Sequence, residues 1–399
     1  MIFIVTIYLF FMWVFTVLNA QPIVQNVSGS LNHNSQIIIN GIDFGNKNPA
    51  SPLVWDNCRN NVPLSTYYDQ WLPTNAEQGS YYNMAYRAVP FRSLNSPTTR
   101  IDYILGGAHA VSHHFGTYNM GGNVGLGKNM NSFNFFIQYW YRIDPLFDPE
   151  NHPTETDNMK EIDLTATAGL FYTGDHGYLG WCGNTIPTIN FTAPIRLGRM
   201  PVDCPELPYG CSNDQYVVYH QNPINDWVKM QWEGGYNTTY DNPVVKLTTY
   251  PDGAVTSLSH YGTEITTSDI YVGCGYPNAG ELQFVGIGGF ARVERLNNGQ
   301  NSFRYFAAVY MDSTPARVML GNNTNYDSCT IMEPQIPISW SNNSISCIVN
   351  LGTHPDTGSA YLFVFNVSGQ HNSTGYPVVL GGGALNYPPG KPQNLQISH

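Results

Sequence analysis

Residues Ser35-Gln36-Ile37-Ile38-Ile39-Asn40-Gly41-Ile42-Asp43-Phe44-Gly45 decide how this chain is read. An isoleucine-rich strand ends in a G-x-x-F-G turn, and a shorter strand, Pro22-Ile23-Val24-Gln25-Asn26-Val27-Ser28-Gly29, precedes it. Two strands joined by a short turn are not stable alone in water; they need further strands to cover one face. No such strands follow within a few dozen residues. The pieces that would complete the set lie at the other end of the chain, in Ala316–Gly321, in Ile336–Val349 and in the apolar run Ala360-Tyr361-Leu362-Phe363-Val364-Phe365-Asn366. The two ends thus predict the halves of one small β-sandwich. About 260 residues lie between them, enough for a second domain.

The opening strands with their G-x-x-F-G ending resemble the start of an IPT/TIG domain, an immunoglobulin-like module. The stretch Ser341–Val349 and the strand Tyr361–Asn366 resemble its later strands. The expected plan is a leader at 1–20, the first part of an IPT/TIG-like domain at 21–54 and an insert at 55–314. The second part of the module is expected at 315–383 and a Pro-rich linker at 384–399.

Residues 1–20 are almost wholly apolar and end in Ala20, which predicts a secretory signal peptide. No Lys or Arg precedes the run and Leu18 is large for a cleavage motif, so an uncleaved anchor is the rival reading. Either route exports the chain, to the medium or the cell surface. Only 11% of residues are charged and 14% are aromatic, with 38 Gly and 27 Pro, a composition of β-structure with ordered loops. The net charge of −11 argues against nucleic acid and anionic membranes as partners. It argues more mildly against a strongly anionic polysaccharide, unless a local basic groove offsets it.

Seven cysteines in an exported chain predict disulfides with one thiol left over. The expected pairs are Cys204–Cys211 and Cys329–Cys347, leaving Cys58, Cys182 and Cys274 undecided. None has the spacing of a zinc site. Asn-x-Ser/Thr sequons stand at Asn26, Asn190, Asn237, Asn322, Asn342, Asn366 and Asn372, and by themselves decide nothing about glycosylation.

Within the insert, strand follows strand. Phe133–Ile143, Tyr216–Tyr219, Trp227–Trp232, Val244–Tyr250 and Phe303–Met311 alternate large apolar with polar residues, and Pro251-Asp252-Gly253 reads as a hairpin turn. No long segment carries a helical period, so the expected class is all-β. The order of these strands resembles a concanavalin A-like lectin/glucanase jelly roll. The whole would be that jelly roll inserted into an immunoglobulin-like sandwich.

The sharpest chemical candidate is Lys160-Glu161-Ile162-Asp163-Leu164-Thr165. It resembles part of the E-x-D-x-E motif of laminarinase-like retaining glucanases, which share the jelly-roll fold. On a regular strand positions 161, 163 and 165 share a face. The resemblance makes Glu161 the nucleophile and Asp163 the assisting carboxylate. The proton donor's place holds Thr165, which implies a glucanase that binds without cleaving. The set His109, His113, His114 and Tyr118 offers the base and acid of a lyase. An aromatic set, Tyr172, His176, Tyr178, Trp181 and Trp232, suits sugar binding because Tyr and Trp pair an apolar face with a polar edge. Asp144, Asp148 and Glu150 form an acidic, Pro-braced turn of the kind that holds calcium; no other cofactor is expected. The function expected is an exported carbohydrate-binding or adhesive surface protein with a polysaccharide or glycan partner. The alternatives are a polysaccharide hydrolase or lyase, and a structural surface-assembly protein.

Overall fold

The computed structural model describes residues 20–56 and 306–382 throughout, and between them the strands, with side chains at 132, 134–141, 227, 229–234 and 248. Among the described residues the chain is all-β: antiparallel strands in four sheets, with a single 3-10 turn at Tyr326–Ser328.

Two of the sheets have four strands each and share one core. The first runs Ile23–Gly29, Gln36–Ile42, Ser344–Ile348, Ile336–Trp340; the second runs Met332–Pro334, Arg317–Gly321, Gly358–Phe365, Tyr376–Leu380. Strand Gln36–Ile42 pairs with Ser344–Ile348 across some 300 residues of sequence, Ile37 opposite Cys347 and Ile39 opposite Ile345. Alternation sets the burial. Ile37 and Ile39 are buried, while Ile38 and Ile42 are exposed. Facing them across the core are Val318, Leu320, Ala360, Leu362 and Val364. A fully buried Ile, Leu or Val contributes about 1.5–3 kcal/mol, so a core drawn from both chain ends binds them firmly. Turn chemistry closes it: Asp43 and Gly45 adopt φ of 63° and 72°, Phe44 is buried, and the Gly45 amide donates to Asn342 Oδ1 at 3.0 Å.

The third sheet has nine strands. Its described centre is Val228–Gly235, Asn134–Ile143 and Asn301–Asp312, with Val54–Asp56 joining the last of these. Phe135 to Tyr141 are all buried, so both faces of that strand are covered. On one face Tyr139, Tyr141 and Phe306 pack ring against ring, and Trp232 Nε1 donates to Tyr139 Oη at 3.0 Å. On the other, Phe136 and Tyr310 join Met319, Tyr326, Met332, Phe363 and Phe365 of the small sandwich in one cluster. A bulge lets strand Asn301–Asp312 serve both faces. Phe306 pairs with Tyr141 and Tyr310 with Gln138, with one extra residue between, and Ala308 takes φ 49°.

Three ion pairs cross the contact between this sheet and residues of the small sandwich or its flanking loops: Lys47–Asp312 and Lys229–Glu333, both buried, and Arg317–Glu233, whose carboxylate is partly exposed. The Arg317 guanidinium also lies between the rings of Phe136 and Phe365, 4.1 and 3.6 Å from their centroids. Burial holds the Lys229 pKa below its ordinary value against the pull of Glu333, and raises that of Asp312 against the pull of Lys47. Such pairs fix geometry more than they add net stability, because desolvation consumes most of the attraction.

The Cys329–Cys347 bridge is not formed. Both thiols are free and buried. Cys347 belongs to the core between the two small sheets, while Cys329 belongs to the cluster on the outer side of the second sheet. A sheet therefore stands between them. Cys204 and Cys211 lie outside the described residues, as do the leader before residue 20 and the linker after 383. Two sequons are structural: Asn366 and Asn372 are buried, and the Asn372 amide bonds the backbone of Leu362, Val364 and Thr374.

Candidate functional site

The fourth sheet has ten strands. Its middle order is Gln215–Val218, Pro194–Arg199, His176–Gly183, Asp157–Ala166, Leu282–Ile287, Gly125–Ser132, with Ala291–Arg292 also pairing Asp157–Ala166. Two expected groups, the E-x-D segment and most of the aromatic set, fall here on adjacent strands. In register, His176 stands opposite Thr165, Tyr178 opposite Asp163, and Trp181 opposite Met159.

The register shifts between Leu179 and Gly180: Leu179 pairs with Ile162 and Gly180 with Lys160, leaving Glu161 as the bulge residue. This corrects the expectation that Glu161, Asp163 and Thr165 alternate along one regular face, because a bulge inserts an extra residue and changes the alternation. With the bulge counted, the positions fall into two matched sets. Asn158, Lys160, Asp163, Thr165, His176, Tyr178 and Arg196 form one; Met159, Ile162, Leu164, Leu179, Trp181, Ile195 and Leu197 form the other. The first set is mostly polar, though Cys182 and Phe284 belong to it, and the second mostly apolar, though Asp157 and Arg199 belong to it, the pattern of a sheet covered chiefly on a single face. Trp181 belongs to the apolar set, apart from Tyr178.

Glycines flank the polar row on both sides. Gly198 stands opposite Tyr178, Gly286 opposite Asp163, and Gly127 opposite Gly286. Glycine inside a strand weakens it and marks places where a ligand or backbone approaches closely. The row crosses five strands, about 19 Å at about 4.8 Å per strand. That length suits an oligosaccharide rather than a single sugar.

The remaining expected residues are scattered or outside the description. Trp232, expected as a stacking platform, is wholly buried and bonded to Tyr139, and Trp227 is wholly buried too; neither can meet a ligand. Their large apolar area is spent on the core. Glu233 pairs with Arg317 at the inter-sheet contact. His109 sits opposite Ser302 in the nine-stranded sheet, away from the Tyr178–Asp163 row. Tyr172, His113, His114, Tyr118 and the calcium set Asp144, Asp148 and Glu150 lie outside the described residues. Among the described residues no group of three or more His, Cys, Asp or Glu is placed to hold a metal, and no helix is long and apolar enough to cross a membrane. Sequence reasoning missed Arg196 and Arg292. They lie in no linear motif with Lys160, and strand pairing alone brings them near it.

No family model matches this chain, and no curated protein does. Solved structures to which it is similar include the alginate lyase Aly36B, at 9% identity over 73% of this chain and 98% of that one, with a TM-score of 0.32. Others are a GH131 β-glucanase catalytic domain from Podospora anserina (10%, 66% and 96%, TM-score 0.30) and the lectin UEA-II complexed with galactose (8%, 58% and 99%, TM-score 0.24). Overlap this loose at such identities conveys neither a shared activity nor a shared ligand.

Proposed function

We propose that this chain is an exported carbohydrate-binding protein, an IPT/TIG-like sandwich carrying a concanavalin A-like jelly roll whose ten-stranded sheet takes a glycan. The observation that carries the reading is the row Gly198–Tyr178–Asp163–Gly286, next to His176 opposite Thr165, in the polar set of positions. Tyrosine supplies a flat face for sugar C–H groups, and Asp, His and Thr supply acceptors and donors for hydroxyls. The nine-stranded sheet is a poor rival, since its described centre is buried on both faces.

Binding is favoured over hydrolysis. Retaining chemistry needs two carboxyl groups about 5–5.5 Å apart, one of them a proton donor. Here Glu161 stands at a bulge and Thr165 occupies the donor's place. Export rests on the apolar leader, with the medium or the cell surface as destination. It does not demand a bridge between Cys329 and Cys347, because burial pushes both thiols up and keeps them from the reactive thiolate form. No cofactor is needed for this role.

The test is a glycan array with the secreted chain, followed by titration of any glycan that binds. Tyr178→Ala is expected to weaken binding about five- to thirtyfold, the loss of one stacking platform worth about 1–2 kcal/mol. Trp181→Ala is expected to lower stability instead. Unchanged affinity in both Tyr178→Ala and Asp163→Asn would remove the site. Release of reducing ends from a β-glucan, abolished by Glu161→Gln, would make the protein an enzyme.

A further inference from the structure

We propose that the glycan is an acidic polysaccharide, and that Lys160, Arg196 and Arg292 recognise its anionic groups. The inference rests on the binding reading above and deepens it. Arg196 stands opposite Gly180, which stands opposite Lys160, so two cations flank a glycine across three adjacent strands. Their backbones are about 10 Å apart at about 4.8 Å per strand. Arg292 stands opposite Asn158, two residues from Lys160 and on the other side of the same strand. All three belong to the polar set that also holds Tyr178 and His176.

The grouping is notable against the rest of the chain. Only 17 Lys and Arg stand against 28 Asp and Glu in 399 residues. On strand Asp157–Ala166 the carboxylates are Asp157, Glu161 and Asp163; Asp163 shares the polar row, Glu161 is the bulge residue, and Asp157 pairs with Gly183 in the other set. The three cations span three strand spacings and outnumber the two carboxylates of the same set, Asp163 and Glu264, the latter three strands beyond Arg196 in its own row. The overall charge of −11 does not forbid a polyanion. At physiological salt the screening length is about 8 Å, so a bound anion responds to the charges beside it and not to the whole surface. Arginine presents a planar fork that holds a carboxylate or sulfate through two parallel bonds, whereas lysine adds a point charge. Gly180, without a side chain, leaves room between them.

The anionic group is a uronate carboxylate or a sulfate ester, and the experiment separates the two. The full secreted chain is titrated with polygalacturonate, with a sulfated galactan and with a neutral β-glucan, at about 0.05 M and about 0.5 M salt. Wild type is compared with Arg196→Gln, Arg196→Lys, Lys160→Gln, Arg292→Gln and Tyr178→Ala, each checked for an unchanged melting transition. The expected result is tighter binding of at least one acidic polymer than of the neutral one, weakened about tenfold or more by Arg196→Gln and by high salt. Arg196→Lys should recover part of the loss, and Tyr178→Ala should weaken binding at both salts. The acidic polymer that binds identifies the group. Preference for the neutral glucan, sensitive to Tyr178→Ala and indifferent to the three cations, would overturn this inference and leave the glycan reading standing. Acidic-polymer binding unaffected by all three cation variants would also overturn it. Binding of no polymer by folded wild type would overturn both.

Discussion

Replacing Glu333 by Gln tests how the small sandwich is held to the large sheet. Glu333 lies in strand Met332–Pro334 and Lys229 in strand Val228–Gly235 of the nine-stranded sheet. Their side chains are 3% and 2% exposed and form an ion pair. Lys229 Nζ also donates to the Met332 carbonyl at 3.0 Å and lies 4.9 Å from the Trp140 ring centroid. Glu333 Oε1 accepts from the Thr353 amide at 2.9 Å and from its hydroxyl at 2.8 Å. Glutamine keeps the shape and the acceptor for Thr353 and removes only the charge. Lys229 must then stay charged without a counter-ion or lose its proton. Losing it at pH 7 sets the ceiling: about 1.36 kcal/mol per pH unit below 10.5 gives about 5 kcal/mol. The amide oxygen, the Met332 carbonyl and the Trp140 ring still favour the ammonium, so the expected loss is about 3–4 kcal/mol.

A pH signature separates this cause from lost packing. In the variant the folded Lys229 is neutral between its lowered pKa and 10.5, while the unfolded chain keeps the proton. The unfolded state binds more protons there, so stability rises with pH. The deficit relative to wild type should shrink by about 2 kcal/mol between pH 7 and 9.5. Urea unfolding followed by tryptophan fluorescence measures it. A deficit equal at both pH values, or below about 1 kcal/mol at pH 7, would refute the reasoning.

Ala308→Gly should leave stability unchanged or raise it by about 0.5 kcal/mol, since relief of the positive φ outweighs the added freedom of the unfolded chain; a loss of about 1 kcal/mol in thermal unfolding would count against the bulge. His371 packs on Tyr326 and Phe365, with ring centroids 5.0 and 4.7 Å away, and its pKa is lowered, chiefly by burial. The Asn372 carbonyl, Asp327 and Glu233 oppose that shift and Arg317 adds to it. Its contribution is therefore constant above pH 6.5 and is lost as pH falls below it, because the unfolded chain takes up the proton first. His371→Gln should melt with a weaker pH dependence between 7.5 and 5.5 than wild type. Cys329 and Cys347 should resist thiol reagents in the native protein and react on unfolding, and mass mapping should find no bridge between them.

The all-β class, the alternating burial of Gln36–Ile42 and the polar character of the Asp157–Ala166 strand follow from residue order alone, because side-chain alternation is a local property of extended backbone. Trp232 shows where local reading stops. An aromatic next to glycines looks the same in sequence whether it fills a core or faces a ligand, and only the sheet laid over it decides. The Cys329–Cys347 pair fails for a related reason, since nearness in sequence says nothing about the sheet between them. The bulge at Glu161 and the gathering of Lys160, Arg196 and Arg292 are matters of register. Register is fixed by pairing between strands far apart in the chain, and one inserted residue exchanges the faces of all that follow. The residue types at the candidate site were thus written in the sequence, while their company was settled by the sheet.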